Sequence, residues 1–277
     1  MNRTFDIGGE ETVRRLGFGA MRLTGGNIIG PPEDESAARD VARRAVDLGV
    51  NLIDTADSYG PGVSERLLRD AGVVSNAVIA TKAGLLRTAS GDWIAHGDPA
   101  YIRNQALVSR DRLGVDTIDL YQFHRPDPDT PFEDSISAFG ELKDDGYIRH
   151  VGLSNVDVGQ LDRAREHVDI ATVQNRYNVG HRDHERVLEA CEAAGIGFIP
   201  WFPLGAGALD NVREPLDAVA GNHGATREQV ALAWLLHHSP VMLPIPGTSR
   251  IDHLEENVAA AELELRDAEY ERLRDAQ

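Results

Sequence analysis

Four polar residues stand at or just beyond the ends of short apolar runs. Asp54 closes "VNLID", Lys82 closes "AVIATK", His124 closes "IDLYQFH", and Tyr59 follows five residues after Asp54 in "NLIDTADSYG". Their types compose an acid–base set. An ammonium is a compact charge whose pKa moves on burial, whereas a guanidinium stays protonated, and of 28 basic residues only Lys82 and Lys143 are lysines. Asp54, on a neighbouring strand end, can pair with Lys82, and a buried cation held in this way lowers the pKa of a nearby phenol. Tyr59 is the phenol within reach. Such a tyrosine can give a proton to a carbonyl oxygen as hydride arrives at carbon, and His124 can donate to the same oxygen. Asp57, in the same stretch, reads as a loop residue bonding backbone near Ser58. Taken singly, each residue has a plainer reading, as a snorkelling strand-end lysine or a satisfied core histidine. Together, on three neighbouring strand ends of one face, they mark a site.

Those strand ends belong to an alternating chain. Eight short apolar runs, "RRLGFGAM", "VNLID", "AVIATK", "IDLYQFH", "IRHVGLS", "IATVQNR", "IGFIPWF" and "VMLPIPG", are separated by segments with helical periodicity and helix punctuation. "DESAARDVARRAVDLG" opens on acidic residues and closes at Gly49; "PAYIRNQALVSRDRLG", "DSISAFGELKDDG", "DVGQLDRAREH", "RDHERVLEACEAAG" and "TREQVALAWLLHH" read the same way. This alternation predicts parallel crossovers, and eight such strands close into a (β/α)8 TIM barrel, an α/β fold. The rival is an open doubly wound sheet. It needs a glycine fingerprint running from the first strand straight into a helix, with an acidic residue on the second strand, and "GFGAMRLTGG" meets neither condition. A barrel also places Asp54, Lys82, His124, Ser154, Asn155 and Gln174 on one face, at the C-terminal ends of successive strands. Before the first strand, "TFDIGGEETVRR" reads as a β-hairpin turning at Gly8 and Gly9 and capping the opposite, bottom mouth.

With 277 residues and 42% hydrophobic content the chain supports one large core, and no linker divides it, so residues 1–277 read as a single barrel domain. The opening "MNRTFDIGGEE" lacks the apolar run of a signal peptide and no stretch reaches the length of a membrane span, which leads us to expect a soluble, cytoplasmic protein. A net charge of -17 argues against nucleic acid or an anionic membrane as partner, because both require a cationic face. The lone Cys191 has no partner for a disulfide or a thiolate zinc site, and no metal is expected. The acidic, lysine-poor skew resembles proteins of salt-loving organisms; a GC-rich genome accounts for it equally.

The order of the motifs carries more information than any one of them. "RLGFGAM", "GVNLIDTADSYG", "VIATKAG", "DLYQFHRPDPDTP", "VGLSNV", "VQNRYN", "WFPLG" and "IPGTSRIDHLEEN" span almost the whole chain, and in this order and spacing they resemble the aldo-keto reductases. The resemblance implies a (β/α)8 barrel, NADPH-dependent reduction of a small-molecule carbonyl substrate, and the catalytic set Asp54, Tyr59, Lys82 and His124. It further implies that Ser154, Asn155 and Gln174 hold the nicotinamide carboxamide and that Trp201 stacks on the nicotinamide ring, where the family usually has Tyr. Phe202, Pro203, Leu204 and Gly205 would approach the pyrophosphate, and Gly19, Ala20, Met21, Pro246 and Gly247 would line the cofactor cleft. Thr248, Ser249 and Arg250 would meet the adenosine 2'-phosphate, and Glu256 and Asn257 the adenine. Two departures stand out: the lysine expected just after the strand-eight proline is Gly247, and a later arginine is His253. Arg250 can still bind phosphate bidentately, so NADP(H) is the preferred cofactor, with NAD(H) also accommodated.

Substrate contacts are expected from the loops after strands one, three and four, with Met21, Trp93, Ile94 and Phe132 as candidates. The sequence closes on "LRDAEYERLRDAQ" with no long C-terminal loop of the kind that covers the pocket in larger members, which leads us to expect an open pocket. "PIPGTSRIDHLEENVAAAEL", with "NIIGPP" and "FPLG", is similar to a bacterial branch that includes pyridoxal reductases. Two other readings stand beside carbonyl reduction. One is an NAD(P)-dependent alcohol or sugar dehydrogenase working in the oxidative direction. The other is a slow-turnover, cofactor-binding regulatory subunit, for which no partner-binding tail and no obligatory protein partner are evident.

Overall fold

The computed structural model describes residues 3–205 and 209–276. β1 (Thr4–Ile7) and β2 (Glu11–Arg14) form the expected antiparallel hairpin, turning through Gly8 and Gly9 at φ 61° and 76°. Seven parallel strands then follow in space in their chain order: β3 (Phe18–Gly19), β4 (Leu52–Asp54) and β5 (Val78–Ala83), then, after a second hairpin of β6 (Leu85–Arg87) and β7 (Trp93–Ala95), β8 (Ile118–Phe123), β9 (Ile148–Ser154), β10 (Ile170–Arg176) and β11 (Gly197–Trp201). Their residues are almost all buried, as strands covered on both faces must be.

The eighth predicted strand, residues 241–247, closes the ring without becoming a regular strand. Towards β11, the Phe198 N–H donates to the Val241 carbonyl (2.8 Å) and the Leu243 N–H to the Phe198 carbonyl (2.7 Å). Towards β3, the Gly17 and Gly19 N–H groups donate to the Pro244 and Pro246 carbonyls at 2.9 and 3.2 Å. Neither proline has an N–H to return, so this side of the segment only accepts and the ladder that defines a strand is half missing. The closed ring is a (β/α)8 barrel.

Helices sheathe it: α1 (Glu35–Asp47), α2 (Val63–Ala71), α3 (Pro99–Leu113), α4 (Phe132–Asp144), α5 (Val158–Arg165), α6 (Glu185–Ala194), α7 (Arg213–His223), α8 (Arg227–His238), α9 (Ile251–Ala259) and α10 (Asp267–Arg274). Local sequence explains their ends. The Asp34 carboxylate caps α1 by accepting from the Ala37 N–H, and Ala38, Val41, Ala42 and Ala45 form its buried stripe. Asp98 caps α3 with Pro99 as its first residue, and Gly114, at φ 72°, ends it. Capping boxes start α5 (Asp157, Gln160) and α8 (Thr226, Gln229). α2, which the sequence reading passed over, buries Val63, Leu67, Leu68 and Ala71 at helical spacing together with Ser64 and Glu65. No described helix is long and apolar enough to cross a membrane.

The barrel is filled from below. Ile7 and Val13 of the N-terminal hairpin pack with Leu52, Val78, Leu120, Ile199, Leu243 and Ile245 in one buried cluster. Gly8 is required where the hairpin turns, since a Cβ there would stand 2.3 Å from the His150 ring.

Candidate active site

Each barrel strand changes character towards its C-terminal end. Lys82 is fully buried, and its Nζ donates to Asp54 Oδ2 (2.6 Å) and to the Thr55 carbonyl (2.8 Å). The other carboxylate oxygen, Oδ1, accepts from Gln122 Nε2 (3.2 Å) and Gln174 Nε2 (2.7 Å). Asp54 is thereby satisfied on both sides, the condition under which a buried ion pair is tolerated. Gln122 escaped the sequence reading, although it precedes His124 by two residues and so shares its inward face on β8.

The loop leaving β4 carries Tyr59 back over this pair. Pairing with β5 continues past the strand end, with the Thr55 N–H donating to the Ala80 carbonyl (2.8 Å) and the Asp57 N–H to the Lys82 carbonyl (3.1 Å). A tight turn then brings the Tyr59 N–H to the Ala56 carbonyl (3.2 Å). Lys82 Nζ lies 5.2 Å from the centroid of the Tyr59 ring, which meets the His124 ring edge-on at 5.9 Å and the Trp93 ring at 6.3 Å. The four residues expected to act together are therefore neighbours.

The electrostatics differ from expectation in one respect. The Tyr59 phenol is held well above its ordinary pKa, by burial first and then by Asp54 and Asp57. Pairing explains the reversal: the Lys82 charge is largely spent on Asp54, and Asp57 adds a second carboxyl nearby. Burial lowers the Lys82 pKa, with Asp54 opposing it. His124 is depressed well below the usual imidazole range by burial, Lys82 and Arg125, so its ring is neutral at pH 7. Its Nδ1 stands 3.5 Å from Ser58 Oγ. Asp57 is a loop residue, as expected, and it is buried; its Oδ2 accepts from the Tyr101 hydroxyl (3.0 Å), and burial with Glu65 pushes it up to about 8.

A cavity of about 370 Å³ opens above these groups. One wall is Ser154, Asn155, Gln174, Trp201, Phe202, Pro203 and Leu204; another is Gly19, Met21, Pro246 and Gly247. Asn155 and Phe202 both hold left-handed backbone, at φ 59° and 54°, an unusual state for residues with side chains. Asn155 is braced by Trp201 Nε1 donating to its Oδ1 (3.1 Å) and by its own Nδ2 donating to the His124 carbonyl (3.0 Å). Ala20 is buried behind this wall, and Gly205 follows it at φ 62°. Thr248, Ser249 and Arg250 lead into α9 beyond Gly247, with Thr248 and Asn257 buried and Ser249, Arg250 and Glu256 exposed. Arg250 does not stand free: its Nε donates to Asp252 Oδ1 at 3.0 Å.

These residues fit a nicotinamide dinucleotide. The floor is bare backbone where Gly19 and Gly247 meet, since a Cβ on Gly247 would be 2.7 Å from the Gly19 carbonyl oxygen. Among the described residues, the Ser154 hydroxyl hydrogen and Gln174 Oε1 are left without a partner, giving one donor and one acceptor, the complement of a carboxamide.

The substrate candidates divide. Met21 and Trp93 line the cavity, Trp93 with the Arg87 guanidinium 3.7 Å from its ring centroid. Ile94, the next residue on the hairpin, faces outward and is 48% exposed. Phe132 is no pocket residue: it starts α4 and is buried against Phe123, ring centroids 6.2 Å apart. The α4 start turns its first side chain onto the barrel wall instead of over the site. Ile28, Leu85, Arg22 and Arg125 line the cavity and were not anticipated.

Fold and site together define an oxidoreductase that handles a nicotinamide cofactor, and sequence comparison gives the family. The model of the aldo/keto reductase family matches residues 15–277, and the chain belongs to that family as an NAD(P)H-dependent oxidoreductase. It is 49% identical over 258 residues to an uncharacterized oxidoreductase of Schizosaccharomyces pombe, covering 93% of this chain and 84% of that protein. It is 40% identical over 273 residues to pyridoxine 4-dehydrogenase of Escherichia coli, covering 95% and 94%. The solved structure of an aldo/keto reductase from Klebsiella pneumoniae, in complex with NADP and acetate, matches with a TM-score of 0.83 at 26% identity, covering 99% of this chain and 95% of that one.

Proposed function

We propose that this chain reduces an aldehyde or ketone to the alcohol with NADPH, with Tyr59 as the acid. The observation that carries the reading is the meeting of Tyr59 and His124 on one cavity above the buried Asp54–Lys82 pair. The bound nicotinamide supplies hydride to the carbonyl carbon. Tyr59, protonated throughout the neutral range, gives its proton to the carbonyl oxygen. Lys82, held by Asp54, faces the phenolate that remains. A Ser58 hydroxyl donating to His124 Nδ1 leaves the imidazole proton on Nε2, as a second donor to the same oxygen.

Around this centre, Ser154, Asn155 and Gln174 orient the carboxamide and Trp201 offers its ring face. Gly19, Ala20, Met21 and the stretch from Phe202 to Gly205, with Pro246 and Gly247, give close backbone approach to the phosphates. Thr248, Ser249 and Arg250 take the 2'-phosphate, and Glu256 and Asn257 border the adenine. NADP(H) is preferred, and NAD(H) is used as well because Arg250 shares its charge with Asp252. The name of the Escherichia coli relative makes pyridoxal a substrate to try first. It also favours the reverse reaction as a second reading, in which Tyr59 must first lose its proton, so oxidation quickens as pH rises.

Assays of NADPH and NADH oxidation with pyridoxal, aliphatic and aromatic aldehydes test the proposal. Tyr59→Phe should lower turnover by about 10²- to 10⁴-fold while leaving NADPH binding near that of the parent; a fully active variant overturns the mechanism.

A further inference from the structure

The cavity carries more positive charge than its chemistry of proton transfer uses. Its charged lining side chains are Arg22, Asp54 and Arg125, and Asp54 is neutralised by Lys82. Among the described residues neither Arg22 nor Arg125 makes a hydrogen bond or an ion pair. In a chain of net charge -17 this is a local inversion of sign. Some exposed arginines elsewhere are tied to carboxylates, as in Arg44–Glu255, Arg103–Glu141 and Arg227–Asp217, and others, such as Arg66 and Arg186, stand in open solvent away from any cavity. The acid nearest Arg125 in sequence, Asp127, is already used by the Gly97 and Asp129 N–H groups and the Thr130 hydroxyl, at 2.7, 3.0 and 3.0 Å.

The two arginines serve different ends. Arg22 Cγ lies 3.7 Å from where a Cβ on Gly247 would stand, beside the turn into α9. Arg125 directly follows His124, and its charge is felt by that imidazole. Resting on the reading of the site as a carbonyl reductase, we infer that Arg125 is an anion subsite and that the substrate is an aldehyde or ketone bearing a carboxylate or phosphate. A guanidinium with free N–H groups binds either anion bidentately, and Arg125, exposed at the cavity mouth, shares that cavity with the apolar Trp93, Leu85 and Ile28. Hydride goes to the carbonyl carbon and the Tyr59 proton to its oxygen, while the anionic group is unchanged.

The test uses matched pairs with NADPH: 4-carboxybenzaldehyde against benzaldehyde, and glyceraldehyde 3-phosphate against glyceraldehyde. The parent should favour the charged member of at least one pair by about tenfold or more in kcat/KM, mostly through KM; which pair shows the larger preference separates carboxylate from phosphate. Arg125→Gln should remove most of that preference and leave the neutral aldehyde within about twofold, and Arg125→Lys should restore part of it. Equal rates within both pairs for the parent, or an Arg125→Gln variant that loses both members alike, overturns the subsite. If no aldehyde is reduced, the reading of the reaction fails instead, and calorimetric binding of benzoate against benzamide decides the subsite. Benzoate preferred by the parent and not by Arg125→Gln supports it, and no difference overturns it.

Discussion

On β4, Leu52 faces the lower interior of the barrel and Asp54, two residues on, faces the site. On β5, Val78 and Ala80 give way to Lys82, and on β8, Leu120 gives way to Gln122, with His124 just past the strand end. A single inward-facing row on each strand thus crosses from hydrocarbon to charge within one or two steps. Below, shape alone holds the residues, and hydrophobic burial asks only for filled volume. Above, each polar atom needs a named partner, and the buried pair is worth keeping only because Thr55, Gln122 and Gln174 complete it. The lower half makes a barrel; the upper half makes this barrel an oxidoreductase.

Lys82→Met should show the difference most strongly. Removing the ammonium leaves Asp54 charged and buried, so turnover should fall by about 10³-fold or more and stability by roughly 3–5 kcal/mol, read by NADPH oxidation and urea unfolding. Leu120→Ala, two residues below Gln122, should cost about 2–5 kcal/mol of stability and leave KM and kcat of the surviving folded fraction nearly unchanged. A variant that loses turnover in proportion would break the division into two halves.

A smaller effect probes the border between them. Asp57 sits under the tyrosine loop with its folded pKa raised to about 8, facing Glu65, Tyr101 and Arg112. The folded state therefore holds a proton that the unfolded chain releases near its ordinary pKa of 3.8, so stability falls as pH rises between these two values and levels above about pH 8. Asp57→Asn removes this loss. Its melting temperature should match the parent near pH 4 and exceed it by a margin that widens as pH rises to 8; an advantage independent of pH would count against the assignment.

Much of this was legible in the sequence because strand ends have a simple code. A run such as "AVIATK" marks the strand and its C-terminal end, so the meeting of Asp54, Lys82 and His124 follows once the barrel closes and gathers those ends on one face. What could not be read depends on balance or on partners far along the chain. The pKa of Tyr59 takes its sign from how completely Asp54 spends the Lys82 charge, a matter of ångströms. Phe132 and Ile94 were placed by loop position alone, and whether a loop residue turns in or out is decided by where its helix or hairpin starts. Arg125 was visible in "FHRPD", but its lack of a carboxylate partner is a property of the folded surface.

The seam between β3 and the closing segment has a mechanical consequence. With Pro244 and Pro246 presenting only carbonyls to Gly17 and Gly19, a slip of one residue would set a proline nitrogen against a backbone carbonyl and turn Ile245 out of the interior. The prolines thus act as teeth on a ratchet, permitting one setting. Since Gly19 and Gly247 form the cleft floor across that same seam, the width of the opening offered to a dinucleotide is fixed by the register of the barrel itself.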